Sequence, residues 1–242
     1  MRAFLLMAVA AVLAACEPVV VTTGPAPQRP TQVAAPAVPS PQVRSQAQQA
    51  ARGFVEVVER VEPIAERECR ARTRGMNCDF LIVVDDRPGQ PPNAFQTVDR
   101  SGRPILAFNL ALIATVRNTD EMAFVMGHEA AHHILSHLDR QRQNATVGAV
   151  IFSGIAAMTG ADAQGVRSAE DLGAAVGART YSKDFEIEAD ELGTVIAHRA
   201  GFDPVRGAAF FTRLPDPGNR FLGSHPPNAA RIEAVRRVAS KL

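Results

Sequence analysis

The sequence predicts an α+β domain over residues 45–242, mostly helical with a small mixed β-sheet. Three observations carry this. Helical apolar spacing recurs along most of that stretch. Three short runs rich in β-branched and aromatic residues lie close together, bounded by Pro and Gly turns. About 200 residues remain once the amino-terminal segments are set aside, enough for one domain with its own core.

In chain order, residues 1–15 read as a signal peptide. Arg2 supplies a minimal positive start, and residues 3–14 form an apolar stretch too short for a confident membrane span. Residues 16–44 read as a tether. Seven of the 17 prolines fall in 17–44 with no apolar periodicity, so this segment has extended, polyproline-like character.

The domain opens with a helix over 45–72, where Phe54, Val57, Val58 and Val61 form a stripe and Pro63 predicts a kink. Residues 80–84, 94–98 and 105–108 read as strands, and 111–116 as a short helix. Asn118, Thr119 and Asp120 offer caps for a helix running through His137. Residues 145–160 are apolar and uncharged, and 165–178 are rich in Gly and Ala. They read as a core helix followed by a mobile loop over a cleft, with lipid contact as the alternative. A further helix starts near Tyr181, carries Ile187, Leu192, Val195 and Ile196, and stops at Gly201. Asp203-Pro204 starts another, and 228–241 is the last.

The chemistry concentrates in His128-Glu129-Ala130-Ala131-His132. Two histidines four apart share a helix face, so two neutral imidazoles can reach one Zn²⁺. Glu129, beside the first, can act as general base toward a water at the metal. The pattern points to hydrolysis, with peptide bonds the leading substrate. The alternative is a surface helix that merely carries these residues. A third ligand is offered by Glu186, 54 residues beyond His132, with Asp190 one turn further on the same face. Glu186 completes a His₂Glu set with an open fourth position. Asp190 is placed to accept the outer N–H of a ligand histidine. Glu188 points elsewhere on that helix and reads as an exposed carboxylate.

Together H-E-A-A-H and Y-S-K-D-F-E-I-E-A-D resemble the HtpX-type, CAAX-prenyl-protease-like zinc metallopeptidases, a gluzincin group. Further segments resemble the same family: Asn93-Ala94-Phe95, the turn Ser101-Gly102-Arg103-Pro104-Ile105, His137, and Ser224-His225-Pro226-Pro227 followed by Arg231-Ile232. The resemblance covers roughly residues 50–240. Lys183 stands where an arginine is more usual, and His133 where a small apolar residue is; neither is a proposed ligand.

The resemblance implies a zincin-like domain holding one Zn²⁺ on His128, His132 and Glu186, with Glu129 as base. It implies that His225 lies near the metal, either assisting at the oxyanion or closing the open position. It also implies that an extended substrate runs along an edge strand containing Asn93, Ala94 and Phe95. His133 and His137 form their own pair, on a face rotated from the ligands, and read as packing or supporting residues. Tyr181, the only tyrosine, reads as packing, with polarising a substrate carbonyl as the alternative.

Leu13-Ala14-Ala15-Cys16 resembles a bacterial lipoprotein box, which implies lipidation of Cys16. Glu17 follows instead of the aspartate associated with inner-membrane retention, so the expected location is periplasmic, on the inner face of the outer membrane. Cys69 and Cys78 read as a disulfide in that oxidising compartment, or as two free thiols. A net charge of +1 without a basic cluster argues against a nucleic-acid partner. Two functions follow. One is an endopeptidase acting on misfolded or unassembled envelope proteins. The other is a non-catalytic or latent chaperone or assembly factor that binds extended chains. The intact Glu129 favours the first, because binding alone needs no base.

Overall fold

A computed structural model describes residues 40–180, 182–216, 218 and 226–242. Cys16, Tyr181 and His225 therefore lie outside the described residues. The helix α1 spans Pro41–Arg72. It starts four residues before the expected 45 because Ser40 caps it, its side chain accepting from the Val43 N–H, and Pro41 fits the first turn. It also continues past Pro63. Val57, Val61, Ile64, Ala65 and Cys69 form its buried face. At its end the Thr73 hydroxyl donates to the Cys69 carbonyl, and a Cys69–Cys78 disulfide ties the helix to the chain entering the sheet.

The sheet has three strands: β1 (Leu81–Asp85), β2 (Ala94–Val98) and β3 (Pro104–Asn109), in the order β1-β3-β2. The central β3 runs parallel to β1, with Leu81 opposite Ile105, and antiparallel to β2, with Ala94 opposite Phe108. Leu106, Ala107 and Phe108 are buried, as expected of a central strand covered on both faces. β2 is thus an edge strand.

Asn109 fixes the start of β2. Its side-chain oxygen accepts the Asn93 and Leu112 N–H groups, its amide donates to the Pro91 carbonyl, and it thereby caps α2 (Leu110–Thr115).

The helix α3 (Thr119–Ile134) is capped by Asn118 and buried on nearly every side. A helix so enclosed needs core on all faces. α1, α6, α7 and the strands β2 and β3 supply it. Here α6 is Ser182–Arg199 and α7 is Pro204–Ala208, which leads into a 3₁₀ turn, Ala209–Arg213; α8 is Asn228–Ala239. Glu121, buried inside α3, is matched by two bonds from Arg213 at 2.7 and 2.6 Å.

Two expectations are corrected. The ligand-bearing helix does not run through His137. It ends at Ile134, and Ser136 takes a left-handed conformation, φ 55°, before α4 (His137–Met158) begins. Residues 145–178 are not a core helix and a mobile loop. They belong to a helical hairpin of α4 and α5 (Ala163–Arg179).

Only His137 in α4 and Gly173 and Gly177 in α5 are buried. The reason is glycine. A Cβ on Gly148 would lie 2.1 Å from the Gly173 carbonyl oxygen, so the two backbones touch and few side chains separate them. Val147, Val150, Ile151, Ile155 and Met158 are left exposed. Among the described residues no helix is long and apolar enough to cross a membrane.

The disulfide closes a short loop with a sequence separation of 9. Loop-closure entropy predicts that replacing both Cys69 and Cys78 by Ala lowers unfolding free energy by about 2–3 kcal/mol. Urea titration of the two proteins checks this.

Candidate metal centre

The site is built where α3 and α6 cross. Gly127 on α3 faces Gly193 on α6: a Cβ on Gly127 would stand 2.9 Å from the Gly193 carbonyl oxygen, and one on Gly193 would stand 2.9 Å from the His128 amide nitrogen. This close approach brings the amino-terminal half of α6 against the carboxy-terminal half of α3. Helical spacing then aims His128 and His132 at Glu186.

His128 Nε2 and His132 Nε2 are 3.0 Å apart. Glu186 lies 3.6 Å from the first and 3.4 Å from the second. One ligand atom from each of the three falls within 4.8 Å of the others. Two imidazoles and one carboxylate so arranged fit a tetrahedral metal with one open position.

The outer ring nitrogens are also engaged, as a ligand histidine requires. Asp190 Oδ1 is 3.0 Å from His128 Nδ1. Asp190 in turn accepts two bonds from Arg231, from Nε and from Nη2, each 2.7 Å long. Arg231 reaches Glu186 at 3.4 Å and stacks over Phe211 at 3.9 Å. His137 Nδ1 lies 2.9 Å from His132 Nδ1, and its Nε2 lies 3.0 Å from Glu188. The Glu188 carboxylate is held by Arg140 at 2.6 Å.

Burial sets the protonation states. Desolvation, aided by the neighbouring His128, pulls the His132 pKa down to about 3, so its ring is neutral. Desolvation alone would lower His128 as well, but the hydrogen bond and charge of Asp190 outweigh it and the net shift is upward. Glu129 is pushed up to about 7, chiefly by desolvation, with the Glu186 charge adding and the Gln96 backbone N–H opposing. A carboxyl near 7 suits proton transfer in both directions around neutral pH.

The cleft beside these groups holds about 460 Å³. Asn93, Ala94, Phe95 and Gln96 of the edge strand line one part, and Phe185, Phe210 and Phe211 another. His128, Glu129, His132, Glu186 and Arg231 all open into it.

The structure therefore brings His128, Glu129, His132, Glu186, Asp190 and the segment Asn93-Ala94-Phe95 together. Cys69 and Cys78 form a separate crosslink. His133 takes no part in the cleft; it bonds the Asn77 carbonyl at 2.8 Å and meets Phe80 edge to face.

Sequence reasoning missed three groups. Arg231 was noted only as part of a late segment; its signal is a charged side chain on the same helix face as the buried Ala234 and Val235. The Gln96 backbone lies beside Glu129 and slightly lowers its pKa, which no side-chain pattern reveals. Glu188, which helical spacing places on an exposed face, is bonded to His137 and Arg140. Likewise, His137 is not on a face turned away from the ligands: the break at Ser136 redirects it toward His132.

Comparison with known proteins follows the same lines. A family model described as peptidase family M48 matches residues 55–239. The chain is 33% identical over 130 residues to a putative beta-barrel assembly-enhancing protease of Vibrio cholerae, covering 50% of this chain and 26% of that protein. It is 27% identical over 154 residues to the beta-barrel assembly-enhancing protease of Escherichia coli, covering 54% of this chain and 30% of that one. It is 29% identical over 171 residues to the mitochondrial metalloendopeptidase OMA1 of Saccharomyces cerevisiae, covering 66% and 47%. The chain thus spans less than a third of these bacterial relatives and under half of the yeast one.

Two outcomes follow from the geometry. Asp190→Ala strands the buried Arg231 guanidinium and costs about 3–5 kcal/mol of stability in denaturant titration, while Asp190→Asn, which still accepts one bond, costs less. Gly193→Ala must push α6 away from α3; zinc affinity measured against a competing chelator falls even in protein that remains folded.

Proposed function

The chain belongs to peptidase family M48, and on that premise we propose that it is a zinc-dependent endopeptidase of the bacterial cell envelope, acting on misfolded or unassembled envelope proteins. The observation that carries this reading is the convergence of His128, His132 and Glu186 within 4.8 Å, beside a cleft bordered by an edge strand. Within the family, the motif resemblance favours the HtpX-type branch.

In this reading His128, His132 and Glu186 hold one zinc ion. Bound there, zinc polarises a scissile carbonyl and brings the pKa of a water toward neutrality. Glu129 takes the proton of the attacking water and passes it to the leaving amine. Its side chain lines the cleft beside the three ligands.

The substrate backbone runs along the outer edge of β2 beside Asn93, Ala94 and Phe95; Ala94 supplies the main-chain hydrogen bonds, since both main-chain groups of Asn93 are held by Asn109, and such bonds make little demand on side-chain identity. Such recognition suits unfolded chains of varied sequence. Asp190 and Arg231 hold His128 and Glu186 in place. His225 is assigned to the oxyanion or to closing the open position, on the resemblance of its Ser-His-Pro-Pro segment.

Residues 1–15 act as a lipoprotein signal, Cys16 carries the lipid, and the chain from there to the Ser40 cap of α1 tethers the domain at the inner face of the outer membrane. Support is the Leu13-Ala14-Ala15-Cys16 sequence, the proline-rich composition that follows, and the Cys69–Cys78 bridge, which suits an oxidising compartment. The beta-barrel assembly-enhancing proteases that the chain resembles make unassembled β-barrel chains the first substrates to try.

The test is cleavage of casein by the purified full chain and by Glu129→Gln. The parent cleaves, cleavage stops on chelation and returns with zinc, and Glu129→Gln binds zinc but shows a loss of at least about 10²-fold. Zinc binding with no cleavage by the parent would favour the chaperone-like or latent reading instead.

A further inference from the structure

The two histidine ligands are backed differently. His128 is supported directly by a carboxylate, Asp190. His132 is supported by another imidazole. Around a regular helix, a residue five positions after His132 would point about 140° away from it. Ser136 breaks that regularity. It is the one non-glycine residue with positive φ among the described residues, and a left-handed conformation costs a residue with a Cβ about 1–2 kcal/mol. The turn it makes returns His137 to the site, where its ring is 3% exposed. Stacking on Phe185 holds the ring plane, with centroids 4.7 Å apart and an interplanar angle of 11°. Arg140 covers the same phenyl ring at 4.2 Å while bonding Glu188 at 2.6 Å.

The proton positions follow from valence. His132 Nε2 faces Glu186 and His128, so that nitrogen serves the metal and Nδ1 carries the proton. The Nδ1–H of His132 then donates to His137 Nδ1, 2.9 Å away. His137 must accept there, so its own proton sits on Nε2 and is donated to Glu188 Oε2 at 3.0 Å. Each member of the chain admits one proton arrangement once the carboxylate is fixed.

We propose that His137 is a positioning residue for His132, and that Glu188, anchored by Arg140, fixes the His137 tautomer and through it the nitrogen His132 presents to zinc. This rests on the zinc-site reading above. It gives Glu188 a role distinct from that of Glu186 two residues earlier, and it gives the unfavourable Ser136 conformation a use. The two ligands are thereby tuned separately: a charged acceptor strengthens His128 as a donor to the metal, whereas a neutral ring relayed to a carboxylate fixes His132 with less added charge.

The experiment is zinc affinity of the full chain by chelator competition, for the parent, His137→Phe, Glu188→Ala and Glu188→Gln. His137→Phe keeps an aromatic ring against Phe185 but removes the acceptor. Glu188→Ala alters a side chain that is 40% exposed, so folding is preserved. Loss of a supporting partner should weaken zinc binding by about 10–100-fold in both. Glu188→Gln, whose amide oxygen still accepts from His137, should recover part of that loss. The ¹⁵N spectrum of the zinc-loaded parent should show His132 protonated at Nδ1, and that signal should shift or exchange away in His137→Phe. A parent that binds zinc while His137→Phe and Glu188→Ala bind it equally well overturns the relay and leaves the zinc site standing. A parent that binds no zinc overturns both.

Discussion

The contact on which the site depends is the backbone approach of α3 and α6 at Gly127 and Gly193. Helices carrying ordinary side chains pack with axes 8–10 Å apart. Here backbone atoms of the facing helix occupy the space where each glycine's Cβ would stand, so Asp190 reaches His128, and Glu186 reaches both His128 and His132, on the carboxy-terminal side of Gly127. A donor set contributed by two elements 54 residues apart in the chain needs that crossing fixed before any side chain matters. The rest of the domain serves it. β3 and α1 bury the far faces of α3, Arg213 neutralises Glu121 within it, and α8 delivers Arg231 from behind α6.

Charge is handled by pairing. Asp190 is fully buried and Arg231 nearly so, an arrangement that gains stability only because both bonds are short and bidentate. Glu186 takes part in the same network through Arg231. Salt bridges from Arg231 thus hold Asp190 and Glu186 beside the imidazoles. The same low-dielectric surroundings keep the His132 ring neutral and raise the Glu129 pKa, the forms that a ligand and a proton carrier require.

Much of this was legible in the sequence. Period-four spacing places His128 with His132 and Glu186 with Asp190, and turn chemistry locates the strands and caps. The α+β class and the order of elements follow from apolar periodicity. What remained hidden depends on conformations that spacing does not encode. Serine occurs both in helices and at their ends, so spacing alone does not reveal the left-handed turn at Ser136 that brings His137 round to the ligands. Gly173 and Gly177 read as part of a loop, but with Gly148 they are contact points of a helical hairpin, since glycine permits both outcomes. Arg231 and Gln96 act from elements whose partners lie far away in sequence, the first through a salt bridge and the second through its main chain.

In the proposed site one metal ion draws its ligands from both α3 and α6. X-ray absorption at the zinc edge on the full chain, compared with Glu186→Ala, tests it most directly. One zinc per chain is expected, with two imidazole nitrogens at about 2.0–2.1 Å and a carboxylate oxygen at about 2.0–2.2 Å. The carboxylate contribution should be lost in Glu186→Ala. An unchanged ligand shell in that variant, or sulfur at the metal, would contradict the account.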